Sequence, residues 1–132
     1  LTHQEAIAFC TGDNPETSEP VGWSAGRMTS ASDYLMDETG ILPAYRGRGI
    51  YSAFLSRYLV YLRDLGYERV VSYHAPNNRA VLIAKLRAGF VITGMRMRAD
   101  SGASVQLTYF THDDRRHAFD NAVSLEPDFT RS

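Results

Sequence analysis

A single cysteine, Cys10, stands in a chain of 132 residues. That excludes an intramolecular disulfide and fits a reducing compartment, so a cytoplasmic location is expected. A dominant charge sign is missing too. Lys and Arg number 14 against 15 Asp and Glu, for a formal net charge of -1, which argues against a general binder of nucleic acid or of anionic membrane. No apolar run approaches the roughly 20 residues a membrane-crossing helix needs, and no signal-peptide pattern opens the sequence. The four histidines are scattered and none pairs with Cys10, so no metal site is expected. There is no G-x-S-x-G nucleophile elbow, no repeat and no low-complexity tract. Length and an ordinary composition point to one domain.

What is present reads as alternating elements. Leu1 to Cys10 suggests a short helix, with Thr2 as cap, Glu5 at capping-box spacing and an apolar Ala6-Ile7-Ala8-Phe9. Thr11 to Pro20 is rich in turn formers and acids, a loop. Val21 to Met28 and Tyr34 to Leu42 read as strands, and Gly40 suggests a bulge in the second. Asp37 and Glu38, adjacent on that strand, are expected on opposite faces. Ile50, Phe54, Tyr58, Leu62 and Leu65, widened by Leu55 and Leu59, form the buried stripe of a helix that stops at Gly66. Val70 to His74 follows as a buried strand, parallel to the one before because a helix crosses between them. A second helix begins at Asn77 or Asn78, buries Val81, Leu82 and Leu86, and stops at Gly89. Phe90 to Arg98 and Val105 to Phe110 make a hairpin with Met95 and Met97 in the core. Asp113 or Asp114 caps a last short helix, whose Phe119 and Val123, with Leu125, dock the tail on the body or on a second copy, as in a homodimer. The fold class is α/β or α+β, a mixed sheet flanked by helices.

The chemistry concentrates at the junction of the second strand and the first long helix, Leu42-Pro43-Ala44-Tyr45-Arg46-Gly47-Arg48-Gly49-Ile50-Tyr51. A helix N-terminus offers free N–H groups and the positive end of the helix dipole. Gly47 and Gly49 permit close backbone approach, and Arg46 and Arg48 add forked cationic donors. No Gly-Lys-Ser/Thr follows, so it is not a Walker A loop. The third glycine and downstream carboxylate of a dinucleotide fingerprint are missing as well.

Arg46-Gly47-Arg48-Gly49 resembles the pyrophosphate loop, R/Q-x-x-G-x-G/A, of the GNAT superfamily of N-acetyltransferases, with Tyr51 at the position where Gly or Ala is commoner. Asn78 to Phe90 resembles that family's second motif, an Asn followed by a helix ending in K-x-G-F, here Arg87-Ala88-Gly89-Phe90. The resemblance spans about Tyr34 to Met97. It implies a mostly antiparallel sheet with a central, splayed parallel pair of strands. The family usually carries a strand and two helices ahead of the first hairpin, and this chain offers only a short helix there, as expected of a domain cut at its N-terminus or of a minimal version with a more open acceptor site. It also implies acetyl-CoA as co-substrate and a small-molecule or peptide amine as acceptor, attacking directly in a ternary complex. The cofactor-binding residues it implies are Ile41, Leu42, Arg46, Gly47, Arg48, Gly49, Ile50, Tyr51 and Asn78, with Ile41 or Leu42 giving the oxyanion donor. Glu38 is the favoured base. The family's tyrosine acid aligns with Lys85, a residue type usually exposed on a helix, so Tyr73 and His74, at the carboxyl end of their strand, are the substitute candidates. The competing reading is an acyl-CoA-binding module without catalysis.

Overall fold

A computed structural model describes residues 3–10, 16 and 18–123. Thr2, Leu125 and most of the 11–17 loop lie outside the described residues. Six strands form one sheet in the order β1-β2-β3-β4-β6-β5. They are β1 (Gln4–Cys10), β2 (Pro20–Met28), β3 (Asp33–Ile41), β4 (Arg69–His74), β5 (Val91–Arg98) and β6 (Gly102–Phe110). Helices α1 (Ile50–Asp64), α2 (Arg79–Ala88) and α3 (Asp113–Ala122) complete the fold. Only β3 and β4 run parallel; the other pairs are antiparallel. The expected mixed sheet with one central parallel pair is therefore present.

One core joins the sheet to α1 and α2 on a single face. Leu55, Tyr58, Leu59 and Leu62 of α1 pack on Tyr34 and Met36 of β3, Val70 of β4 and Leu107 of β6, with Leu82 and Ala88 of α2 at the margin. Burying each such leucine contributes about 1.5–3 kcal/mol. Helix α3 takes the other face, where Phe119 lies against Phe110 at 5.3 Å between ring centres and Arg116 donates to the Gly89 carbonyl at 2.8 Å. Among the described residues no helix is long and apolar enough to cross a membrane.

The first element is a strand, not the expected helix. The Ala6–Phe9 run fits either period, and tertiary partners decide it. Glu5, Ile7 and Phe9 alternate inward, Phe9 stacks on Phe54 at 4.3 Å, and β1 pairs with β2 from Gln4 to Cys10. Glu5 accepts from the phenols of Tyr58 at 2.5 Å, Tyr61 at 2.9 Å and Tyr34 at 3.4 Å. His3 bridges Glu5 and the Tyr67 phenol through its two ring nitrogens. Burial, then the Glu5 and Tyr34 hydrogen bonds, hold the Tyr58 phenol well above the ordinary tyrosine range.

Two further expectations change at β3. The bulge lies at Asp37, where β2 steps from Ala25↔Glu38 to Gly26↔Met36. Gly40 instead pairs regularly with Trp23, whose ring occupies the space a Cβ would need. The bulge also cancels the alternation between Asp37 and Glu38. Asp37 meets Arg27 at 3.1 Å and Glu38 sits in register with Ala25, so both carboxylates fall on the face away from α1 and α2. Elsewhere, Leu86 is exposed and Lys85 takes the buried place on α2. Met95 and Met97, on edge strand β5, are 64% and 75% exposed rather than core.

The Glu5 cluster ties β1 to α1 through a half-buried carboxylate, so removing it takes the shared acceptor from three phenols. Glu5→Ala is expected to lower unfolding stability by about 1–3 kcal/mol, read as a shift in urea midpoint with an unchanged slope.

Candidate active site

β3 and β4 part early. They pair only from Asp33↔Arg69 to Leu35↔Val71. Beyond that, β3 follows β2, bent by its bulge, while β4 stays with β6 as far as His74. The result is a wedge-shaped gap at the carboxyl ends of two parallel strands, where ligands collect in such sheets. A cleft of about 450 Å³ opens there, between the ends of β3 and β4 and the N-termini of α1 and α2.

The glycine loop forms one wall. A 3-10 turn, Pro43–Tyr45, leads from β3 into it. Gly47 and Gly49 both adopt the left-handed region, with φ of 75° and 74°, and a Cβ on either would meet nothing within 4 Å. The conformation requires glycine, which the open space alone does not. Gly49 is the N-cap of α1 and supplies no side-chain cap, and the first turn carries no acid. Among the described residues, the N–H groups of Gly49, Ile50, Tyr51 and Ser52 meet no acceptor in the chain. Four donors and a positive helix end thus face open space. Arg46 braces the loop, its Nε donating to the Ile41 carbonyl at 3.0 Å, and Arg48 lies over the Tyr45 ring at 5.6 Å.

The strand wall is equally specific. The Leu42 N–H is spent on the Val21 carbonyl at 2.8 Å. By strand alternation the Ile41 amide then turns from β2 toward the gap. Thr39, which sequence reasoning missed, lines the cleft and hydrogen-bonds Ser24 through their hydroxyls; its register after the Asp37 bulge is what brings it inward. Tyr51 also lines the cleft. Its phenol is buried without a hydrogen-bond partner, and burial pushes it up to about 12, eased a little by nearby Thr39. Asn78 is the N-cap of α2, lines the cleft and, among the described residues, makes no side-chain cap bond.

The three catalytic candidates divide between the faces. His74 lines the cleft on the helix side, with Nε2 buried and unpartnered. Burial, then the Lys85 charge, lowers its pKa to about 4. Tyr73 and Glu38 lie on the opposite face, on the two banks of the gap. Lys85 does not line the cleft. Its side chain is 1% exposed, with Nζ 5.1 Å from the Phe90 ring centre, and burial lowers its pKa to about 7.

These two shifts set a pH dependence. Each group binds its proton less readily when folded than when unfolded, so stability rises with pH between the two values. The rise spans about pH 4 to 6.5 for His74 and about pH 7 to 10.5 for Lys85. Each limb has a slope of at most about 1.4 kcal/mol per pH unit. Urea titrations from pH 7 to 9.5 are expected to show the upper limb in the wild type and a flat profile in Lys85→Met.

A profile described as Acetyltransferase (GNAT) family matches residues 2–90. No curated protein matches the chain. Among solved structures, Ard1 from Thermoplasma volcanium is 22% identical with a TM-score of 0.63, over 69% of this chain and 63% of that one. A GNAT family acetyltransferase from Elizabethkingia anophelis with acetyl-CoA bound is 15% identical with a TM-score of 0.67, over 71% of each chain. A chimera of spermidine N-acetyltransferase SpeG from Vibrio cholerae and hSSAT is 13% identical with a TM-score of 0.70, over 82% and 68%. At these identities the structures share the fold, and this chain spans less than two thirds of Ard1. The glycine loop and the parted strands fall inside the matched segment, and the chain belongs to the GNAT acetyltransferase family.

Proposed function

We propose that the protein transfers an acetyl group from acetyl-CoA to a primary amine by direct attack, in the cytoplasm. The observation that carries this reading is the set of unpaired N–H groups from Gly49 to Ser52 beside two left-handed glycines with open space over both. A diphosphate supplies the oxygens those donors lack, and Arg48 adds charge. Asn78 would hold the pantetheine arm in the gap, and the thioester would come to rest where the strands part, against the Ile41 N–H.

The chemistry then needs three services. Glu38, on the far face, takes a proton from the acceptor's ammonium. The amine nitrogen bonds to the thioester carbon, and the Ile41 N–H stabilises the oxyanion that forms. The C–S bond breaks, and the nitrogen's second proton leaves to the thiolate. His74 stays neutral at pH 7 and donates an N–H to that sulfur. An ammonium and acetyl-CoA become an amide, free CoA and one proton. Tyr73 lines the acceptor's route. Positioning supplies much of the rate enhancement in such a design.

Lys85 favours a second reading. It aligns with the family's tyrosine acid yet is buried outside the cleft, which suits a domain that binds acyl-CoA without turning it over. Calorimetry with acetyl-CoA tests the shared part, and thiol release with an amine panel separates the two. Gly49→Val is expected to weaken acetyl-CoA binding at least about tenfold, since a branched residue resists the left-handed region at a cost of roughly 1–2 kcal/mol and crowds the diphosphate. Glu38→Gln is expected to lower kcat about 10²–10⁴-fold with acetyl-CoA affinity kept; turnover equal to wild type would remove Glu38 as the base.

A further inference from the structure

The face of the sheet away from α1 and α2 carries a charge arrangement that acyl-CoA does not use. Glu38 stands on the β3 bank of the gap, in register with Ala25. Arg96 is on β5, in register with Ser104, and Tyr73 is on β4, in register with Gln106. Arg96 reaches back across β6, and its guanidinium lies over the Tyr73 ring, 3.9 Å from the centroid. A cation is therefore fixed on the β4 bank, opposite the Glu38 carboxylate. Stacking on a ring holds the guanidinium plane and leaves its N–H edge free for a forked bond.

Neighbouring charges on this face are neutralised within the protein. Arg27 pairs with Asp37 at 3.1 Å and Arg69 with Asp33 at 2.5 Å. Among the described residues, neither Glu38 nor Arg96 has an ion-pair partner, and the two do not reach each other. An acid and a cation held apart across a gap are complementary to a molecule carrying both opposite charges. We propose that the acceptor is a small amino acid, its ammonium directed to Glu38 and its carboxylate taken by Arg96. This rests on the acetyl-transfer reading and makes Arg96 the residue that sets acceptor class. A polyamine would meet an unanswered cation at the same place.

The test is thiol release from acetyl-CoA with α-, β- and γ-amino acids, each against its own carboxamide, and with putrescine. Wild type is expected to favour the best carboxylate over its amide by at least about tenfold in kcat/KM, the scale of one charge-assisted hydrogen-bonded pair. In Arg96→Gln that ratio is expected to collapse toward one, through KM rather than kcat, and Arg96→Lys is expected to restore part of it. Calorimetry with acetyl-CoA on each variant reports that the fold and the thioester site survive. If acceptors turn over but carboxylate and amide are equal, or Arg96→Gln keeps the ratio, the amino-acid proposal is wrong and acetyl transfer stands. If the wild type does not bind acetyl-CoA, or binds it and releases no thiol with any acceptor, the transferase reading fails and takes this proposal with it.

Discussion

Three residue pairs, Asp33↔Arg69 to Leu35↔Val71, are all that join β3 to β4, and the site depends on that ladder ending where it does. A longer ladder would close the sheet and satisfy the backbone groups that an extended ligand needs. It ends because each strand has a stronger commitment elsewhere. The Asp37 bulge binds β3 to the twist of β2, and β4 is paired with β6 over its whole length. Divergence here follows from pairing on the outer edges and requires no strain in the gap.

That geometry also separates two kinds of chemistry. On the helix side, the cleft combines a positive helix end with a histidine whose charge burial suppresses. In the proposed reaction it receives the phosphates of acetyl-CoA and the leaving sulfur. On the other side, Asp37, Glu38 and Arg96 face water. Adjacent strand residues serve opposite sides, His74 inward and Tyr73 outward, so one short strand furnishes both. The parted strands open a route between the faces, and in the proposed reaction the two substrates meet there from opposite directions.

How much of this was legible depended on how local the cause was. The α1 stripe as far as Leu62, the stop at Gly66 and the two loop glycines follow from neighbours in sequence, and the structure has them; Leu65, expected to close the stripe, is exposed because it lies past the last turn of the helix. The parallel relation of β3 and β4 followed from the helix between them. The first ten residues failed because Ala6 to Phe9 satisfies both periods, and the deciding partners, Phe54 and Tyr58, lie more than forty residues on. The bulge at Asp37 carries no glycine to announce it, so Gly40 drew the expectation, although its smallness serves the Trp23 ring. Lysine burial is rare, so the α2 pattern points to Leu86 where the fold buries Lys85. Arg96 was invisible as a site residue, because its meeting with Tyr73 crosses an intervening strand.

That intervening strand, β6, is the last strand to be made among the described residues, yet it occupies an inner position in the sheet. A polypeptide emerging from the ribosome as far as Phe90 has its loop, its helices α1 and α2 and the first four strands, but β4 then presents a bare edge six residues long. Val105 and Leu107 are also absent from the core at that point. Biogenesis must therefore wait for the hairpin, with a sticky strand exposed in the interval, and a fragment ending at residue 90 would inherit that adhesive edge permanently.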